Sequence, residues 1–123
     1  MANLLETLSR RPVMSDGGMG TQLIGAGLAC GMCGEQWNVD KPDVIEAVHR
    51  RYADAGAELL TTNTFGGTAE SLRRHGLADR VAELNRAGAA AARRAAGDDR
   101  WVMGDIGPFG GFLEPVGETT PDE

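Results

Sequence analysis

Three short apolar runs each stop on a cluster of polar residues and glycines, and helix-patterned segments lie between them. The first run, Val13-Met14, ends at Asp16-Gly17-Gly18. The second, residues 57–62, ends at Asn63-Thr64-Phe65-Gly66-Gly67. The third, residues 101–104, ends at Asp105-Ile106-Gly107-Pro108. A helix between two strands is a crossover connection, and crossovers make parallel sheets. The fold class expected is α/β. In parallel α/β folds ligands gather at the carboxyl ends of the strands. Three polar clusters at three consecutive strand ends should therefore converge on one site.

The intervening pattern is specific. Residues 3–10 read as a short amphipathic helix with Leu4, Leu5 and Leu8 on one face. Residues 12–14 read as a strand, 20–27 as a helical turn, and 28–38 as irregular. Asp40 is placed to cap a helix, with Pro42 in its first turn and Asp43 complementing its dipole. Val44, Ile45, Val48, Tyr52 and Ala55 follow at helical spacing, and Gly56 closes the helix. Thr68 is placed to cap the next helix. His75-Gly76-Leu77 breaks it, and residues 78–96 resume it with Val81, Leu84, Gly88, Ala91 and Ala95 on one stripe. The remainder from Phe109 is a Gly/Pro-rich loop that stops on a helix-start signal, Thr120-Pro121-Asp122-Glu123.

Composition narrows the function. The net charge of −6 argues against a cationic footprint for nucleic acid or an anionic membrane. No apolar run is long enough to span a bilayer. The first 18 residues have no signal-peptide pattern, so a cytoplasmic location is expected. Glycine, 18 of 123 residues, is about twice average usage and sits in the loops rather than in a low-complexity tract. Aromatics are only 5%, so the chain can bury only a modest core. Cys30 and Cys33 form one C-x-x-C in a Gly-rich stretch. They read as loop thiols, with a metal or redox role as the alternative. His49 reads as a solvated helix residue and His75 as a cap or surface residue, and the arginine pairs 50–51, 73–74 and 93–94 read as solvated. DGGMG lacks both the GK[ST] ending of a P-loop and the spacing of a dinucleotide turn.

SDGGMGTQL, EQWNVDKPDVIEAVHRRYADAGAELLTTNTFGG, ELNRAGAAAARRA and GDIGPFGGFLEPVG, in that order, resemble the N-terminal part of the homocysteine S-methyltransferase family. The resemblance runs from about residue 12 to 123. It implies a (β/α)8 TIM barrel, of which this chain would be the N-terminal portion, about three β/α units. Residues 1–123 would be a single partial homocysteine-binding domain that stops before the zinc-ligand region. It further implies methyl transfer from a small donor to the homocysteine thiol, giving methionine. The family's zinc is held by three cysteines whose positions fall beyond Glu123. Cys30 and Cys33 do not match them, so no metal ligand and no catalytic residue is expected here, and the isolated chain is expected to be inactive.

The resemblance implies amino-acid contacts from this chain. Asp16 would take the α-ammonium of homocysteine as a charge-assisted hydrogen bond. Gly17 and Gly18 would let backbone N–H groups approach its carboxylate. Thr62, Asn63 and Asp105 complete the expected substrate-binding set. Trp37 matches a tryptophan that helps to form a donor pocket in some members. Some betaine-using members carry an aromatic residue where this chain has Gly66. The partners expected are homocysteine and a small methyl donor, with association through open sheet edges as a further possibility. The competing reading is a noncatalytic remnant or interaction module of a split barrel.

Overall fold

The computed structural model describes residues 1–122 of the 123. Helix α1 is Leu4–Leu8, α2 Gly20–Gly25, α3 Trp37–Asp40 and α4 Pro42–Asp54. Strand β1 is Leu59–Thr61, and α5 is Ala69–Arg73. Helix α6 is Val81–Ala96, and strand β2 is Trp101–Met103. Single 3₁₀ turns precede α3, at Gly34–Gln36, and α6, at Ala78–Arg80.

The strands are parallel, as the crossovers require. Leu59, Leu60 and Thr61 pair with Trp101, Val102 and Met103. The expected strand at 12–14 is reduced to one parallel bridge between Ser15 and Leu59. Its main-chain bonds are Asp16 N–H to Leu59 O at 3.0 Å and Glu58 N–H to Met14 O at 2.8 Å. Pro12 has no N–H to extend the ladder backward, and Gly17-Gly18 turn the chain away beyond it. An Arg11–Glu58 ion pair at 2.6 Å anchors the start of this segment and holds the Glu58 carboxyl down to about 2. Strand β1 thus lies in the middle, with residue 15 on one side and β2 on the other.

The helices bury one face each. In α6 the stripe of Leu84, Gly88, Ala91 and Ala95 is buried as the spacing predicts, widened by Ala92 and Ala96. These small residues let α4 approach closely. Two clusters form there: Ala53, Ala57, Leu60, Ala95 and Ala96, and Leu23, Ile45, Val48 and Ala91. A third joins Cys33, Leu72 and Leu84. Thr68 caps α5 by accepting from Ser71 N–H at 3.2 Å. Gly56, Gly76 and Gly97 close their helices at positive φ.

Three expectations are corrected. Residues 28–38 are not wholly irregular, because the 3₁₀ turn and the start of α3 lie in them. Asp40 does not cap α4. It is the last residue of α3, and Lys41 precedes α4 without a side-chain cap, its carbonyl accepting from Val44 N–H at 3.0 Å. His49 is not solvated but 0% exposed. The inward stripe of α4 is Ile45, Val48, His49 and Ala53, rotated so that Ala55 faces solvent. His75 and the three arginine pairs are exposed, as the pattern suggests.

Candidate functional site

The three strand ends are tied to one another by side chains. Asp16 leaves the first segment with its carboxylate turned onto β1. Its Oδ2 accepts from Thr61 N–H at 2.8 Å, and its Oδ1 accepts from the Thr61 hydroxyl at 2.8 Å. A carboxylate offers about four acceptor positions, so these bonds leave capacity for a further donor.

The end of β1 is tied to the end of β2 by a closed ring. The Thr64 hydroxyl donates to Asp105 O at 2.7 Å. Its single proton is then committed, so in the 2.6 Å contact between the two hydroxyls Thr62 donates to Thr64. Thr62 in turn accepts from Asp105 N–H at 3.0 Å. The Thr62 hydroxyl therefore has no proton left to donate and faces a ligand only as an acceptor.

Asn63 is held from below by α3. Its amide donates to Asn38 Oδ1 at 2.9 Å and to Gly34 O at 3.0 Å, and the Asn38 amide donates back to Asn63 O at 2.8 Å. Asn38 also donates to Leu84 O at 3.1 Å on α6. Glu35 fixes the next turn by accepting from Gly66 N–H at 2.7 Å. The same carboxylate accepts from the Cys33 thiol at 3.4 Å. Burial pushes the Cys33 thiol up, so it is held protonated.

A cavity of about 400 Å³ opens above this network, within the range of small-molecule sites. Met19, Gly20, Leu23 and Ile24 wall one side, and Leu28 to Met32 a second. Thr62, Asn63, Asp105 and Glu35 supply its polar groups, and Phe65 adds an aromatic side chain to the lining. The expected residues thus separate into groups. Thr62, Asn63 and Asp105 line the cavity. Asp16 lies outside the lining and is bonded to Thr61, the residue before Thr62. Gly17 and Gly18 lie outside the lining, on Tyr52 of α4: its hydroxyl donates to Gly18 O at 2.8 Å.

Trp37 is placed elsewhere. It packs against the cluster of Leu23, Ile45, Val48 and Ala91, with the Lys41 ammonium 4.2 Å from its ring centre. Cys30 is exposed in the cavity wall, whereas Cys33 is buried. Among the described residues no three His, Cys, Asp or Glu side chains group closely enough to hold a metal ion. The donor set present does not fit a zinc site.

Glu35, Asn38 and Tyr52 are site-building residues beyond those expected from the sequence. Tyr52 was visible as a helix-stripe residue. Glu35 and Asn38 carried no local signal, because their partners lie 31 and 25 residues away.

Comparison with known proteins identifies the family. The family model for homocysteine S-methyltransferase matches residues 13–123. The methionine synthase of Mycobacterium leprae is 42% identical over 95% of this chain, and that of Mycobacterium tuberculosis is 41% identical over 95%. The chain spans 11% of the length of each. Among solved structures, the metallated form of the homocysteine methyltransferase MmuM from Escherichia coli superposes with a TM-score of 0.73 at 26% identity, covering 87% of this chain and 42% of that one. Its oxidized form gives a TM-score of 0.69 at 28% identity, covering 87% and 41%. The resemblance in the four sequence segments and the parallel strand order have one explanation: the chain belongs to the homocysteine S-methyltransferase family.

Proposed function

We propose that this chain supplies the amino-acid side of a homocysteine site, in an enzyme that methylates the homocysteine thiol to give methionine. In this reading its strands are the first three of a (β/α)8 barrel, and residues 1–123 are part of one homocysteine-binding domain. The observation that carries it is the joining of three strand ends, Asp16 to Thr61 and then Thr62 and Thr64 to Asp105, beside a cavity lined by Thr62, Asn63 and Asp105. Asp16 takes the α-ammonium on its remaining acceptor positions. The Gly17-Gly18 backbone faces the carboxylate, and Thr62, Asn63 and Asp105 bound the substrate. The names of the curated relatives, both methionine synthases, support methionine as the product.

The chain's own residues build the binding half, and we assign no zinc-dependent step to them. Methyl transfer by these 123 residues alone is not expected. A cationic betaine favours an aromatic wall. At Gly66 even a Cβ would lie 2.8 Å from Glu35 Oε1, so residue 66 itself supplies no aromatic group, and Phe65 is the aromatic of this turn that lines the cavity. S-methylmethionine, betaine, a methylated corrinoid and methylfolate are the donor classes of this reading. In this reading Trp37 stands on the donor side, with the Lys41 ammonium 4.2 Å from its ring centre.

Calorimetric titration of the chain with L-homocysteine tests the reading, with Asp16→Asn as the variant. The asparagine oxygen keeps the bond from Thr61 N–H, and the Thr61 hydroxyl rotates to accept from the new amide. The fold is therefore retained while the charge is lost. A charged hydrogen bond contributes about 1.5–3 kcal/mol, so binding should weaken about 10- to 100-fold. Equal binding by the variant and the parent would overturn the assignment.

A further inference from the structure

We propose that Tyr52 is a positioning residue for the amino-acid site, acting through the Gly17-Gly18 loop; the identity of the ligand rests on the homocysteine reading above. The loop runs between two fixed points. At one end the Asp16 carboxylate is bonded to Thr61 on β1. At the other, Met19 and Gly20 form part of the cavity wall. Between them stand two exposed glycines, the residue type with the greatest backbone freedom.

Tyr52 holds both. Its hydroxyl donates to Gly18 O at 2.8 Å. Its ring fills the space beside Gly17, where a Cβ would lie 3.1 Å from both Cε1 and the phenol oxygen. The ring is itself fixed, because it packs on the Ala53–Leu60 cluster and on the Leu23–Ile45–Val48 cluster. A rigid helix thus sets the path of the flexible loop, and with it the spacing between Asp16 and the cavity wall. No part of Tyr52 is required to touch the ligand. This is positioning, and a misplacement of about 1 Å in such a group is costly to a site.

Tyr52→Phe keeps the packed ring and removes only the bond to Gly18. Backbone amide order parameters by NMR and homocysteine titration, both on the whole chain, are the two readouts. Loss of one such bond should lower the order parameters at Gly17, Gly18 and Met19 toward the flexible range below about 0.6, with α4 and β1 unchanged, and raise the homocysteine Kd about 3- to 10-fold. Order lost evenly through α4 and β1 would mean a merely structural residue and would overturn the proposal. So would an unchanged loop, or a looser loop with an unchanged Kd. Should the parent chain fail to bind homocysteine at all, the substrate reading falls. The order parameters then still decide whether Tyr52 sets the loop.

Discussion

His49 is the one buried side chain whose polar atoms find no hydrogen-bond partner among the described residues: this holds for both ring nitrogens. It lies on the inward face of α4, one turn before Tyr52. Burial holds its pKa below 6.5, while the negative charges of Asp16 and Glu46 act the other way. The unfolded chain therefore takes up a proton on His49 more readily than the folded chain. Stability from this group is fully present above about pH 6.5 and is lost as pH falls toward the folded value. Each pKa unit of depression is worth up to about 1.4 kcal/mol. Glu46, Glu58 and Glu83 are all held below 4.5 by arginine partners, so they do not titrate in this window. Urea denaturation at pH 7.5 and 5.5 should show a loss in the parent chain that His49→Met abolishes. A flat profile in the parent, or the same loss in the variant, would contradict the assignment.

Helix α6 positions the end of β1 through α3 as well as forming a core with α4. Gly88 of α6 faces α3 and the end of β1. A Cβ there would lie 2.7 Å from Asn38 Nδ2, 2.9 Å from Thr64 Cγ2 and 3.1 Å from Asn63 O. Alanine in a helix interior normally gains about 1 kcal/mol over glycine. Here overpacking should reverse the sign, with a net loss of about 1–3 kcal/mol measured by denaturation. Gly25, at the end of α2, has nothing within 4 Å of its Cβ position and serves as the control, where alanine should be neutral or stabilising. A stabilised Gly88→Ala variant would refute the close approach. Elements of this kind were legible in the sequence only where their cause is local. The stripe of α6, the Thr68 cap and the glycine turns follow from neighbouring residues. The strand ends Asp16, Asn63 and Asp105 were legible because polar clusters punctuate apolar runs. The burial of His49 and the Asn38–Asn63 pairing were not, since each depends on an element far along the chain.

At the scale of the whole molecule the sheet is open. Strand β1 has neighbours on both sides, whereas β2 has β1 on one side and no strand on the other among the described residues. Large apolar side chains are exposed near that edge and along the segment after it: Ile106 at 89%, Val116 at 81% and Phe112 at 70%. An unpaired strand edge beside exposed apolar surface favours pairing with another chain. The net charge of −6 opposes it by repulsion between like molecules. Salt weakens that repulsion, since the Debye length falls from about 10 Å at 0.1 M to about 3 Å at 1 M, and it leaves the apolar attraction in place. Light scattering of the chain should therefore show self-association that grows with protein concentration and with sodium chloride. An association built on ion pairs would weaken with salt instead. A triple Ile106→Glu, Phe112→Glu, Val116→Glu variant should remain monomeric under the same conditions, because three charges of the prevailing sign now occupy the contact surface and none of the three residues belongs to the buried clusters. A sharp monomer of the parent chain at high salt and high concentration would show that this face does not drive association, and the interaction-module reading would lose its support.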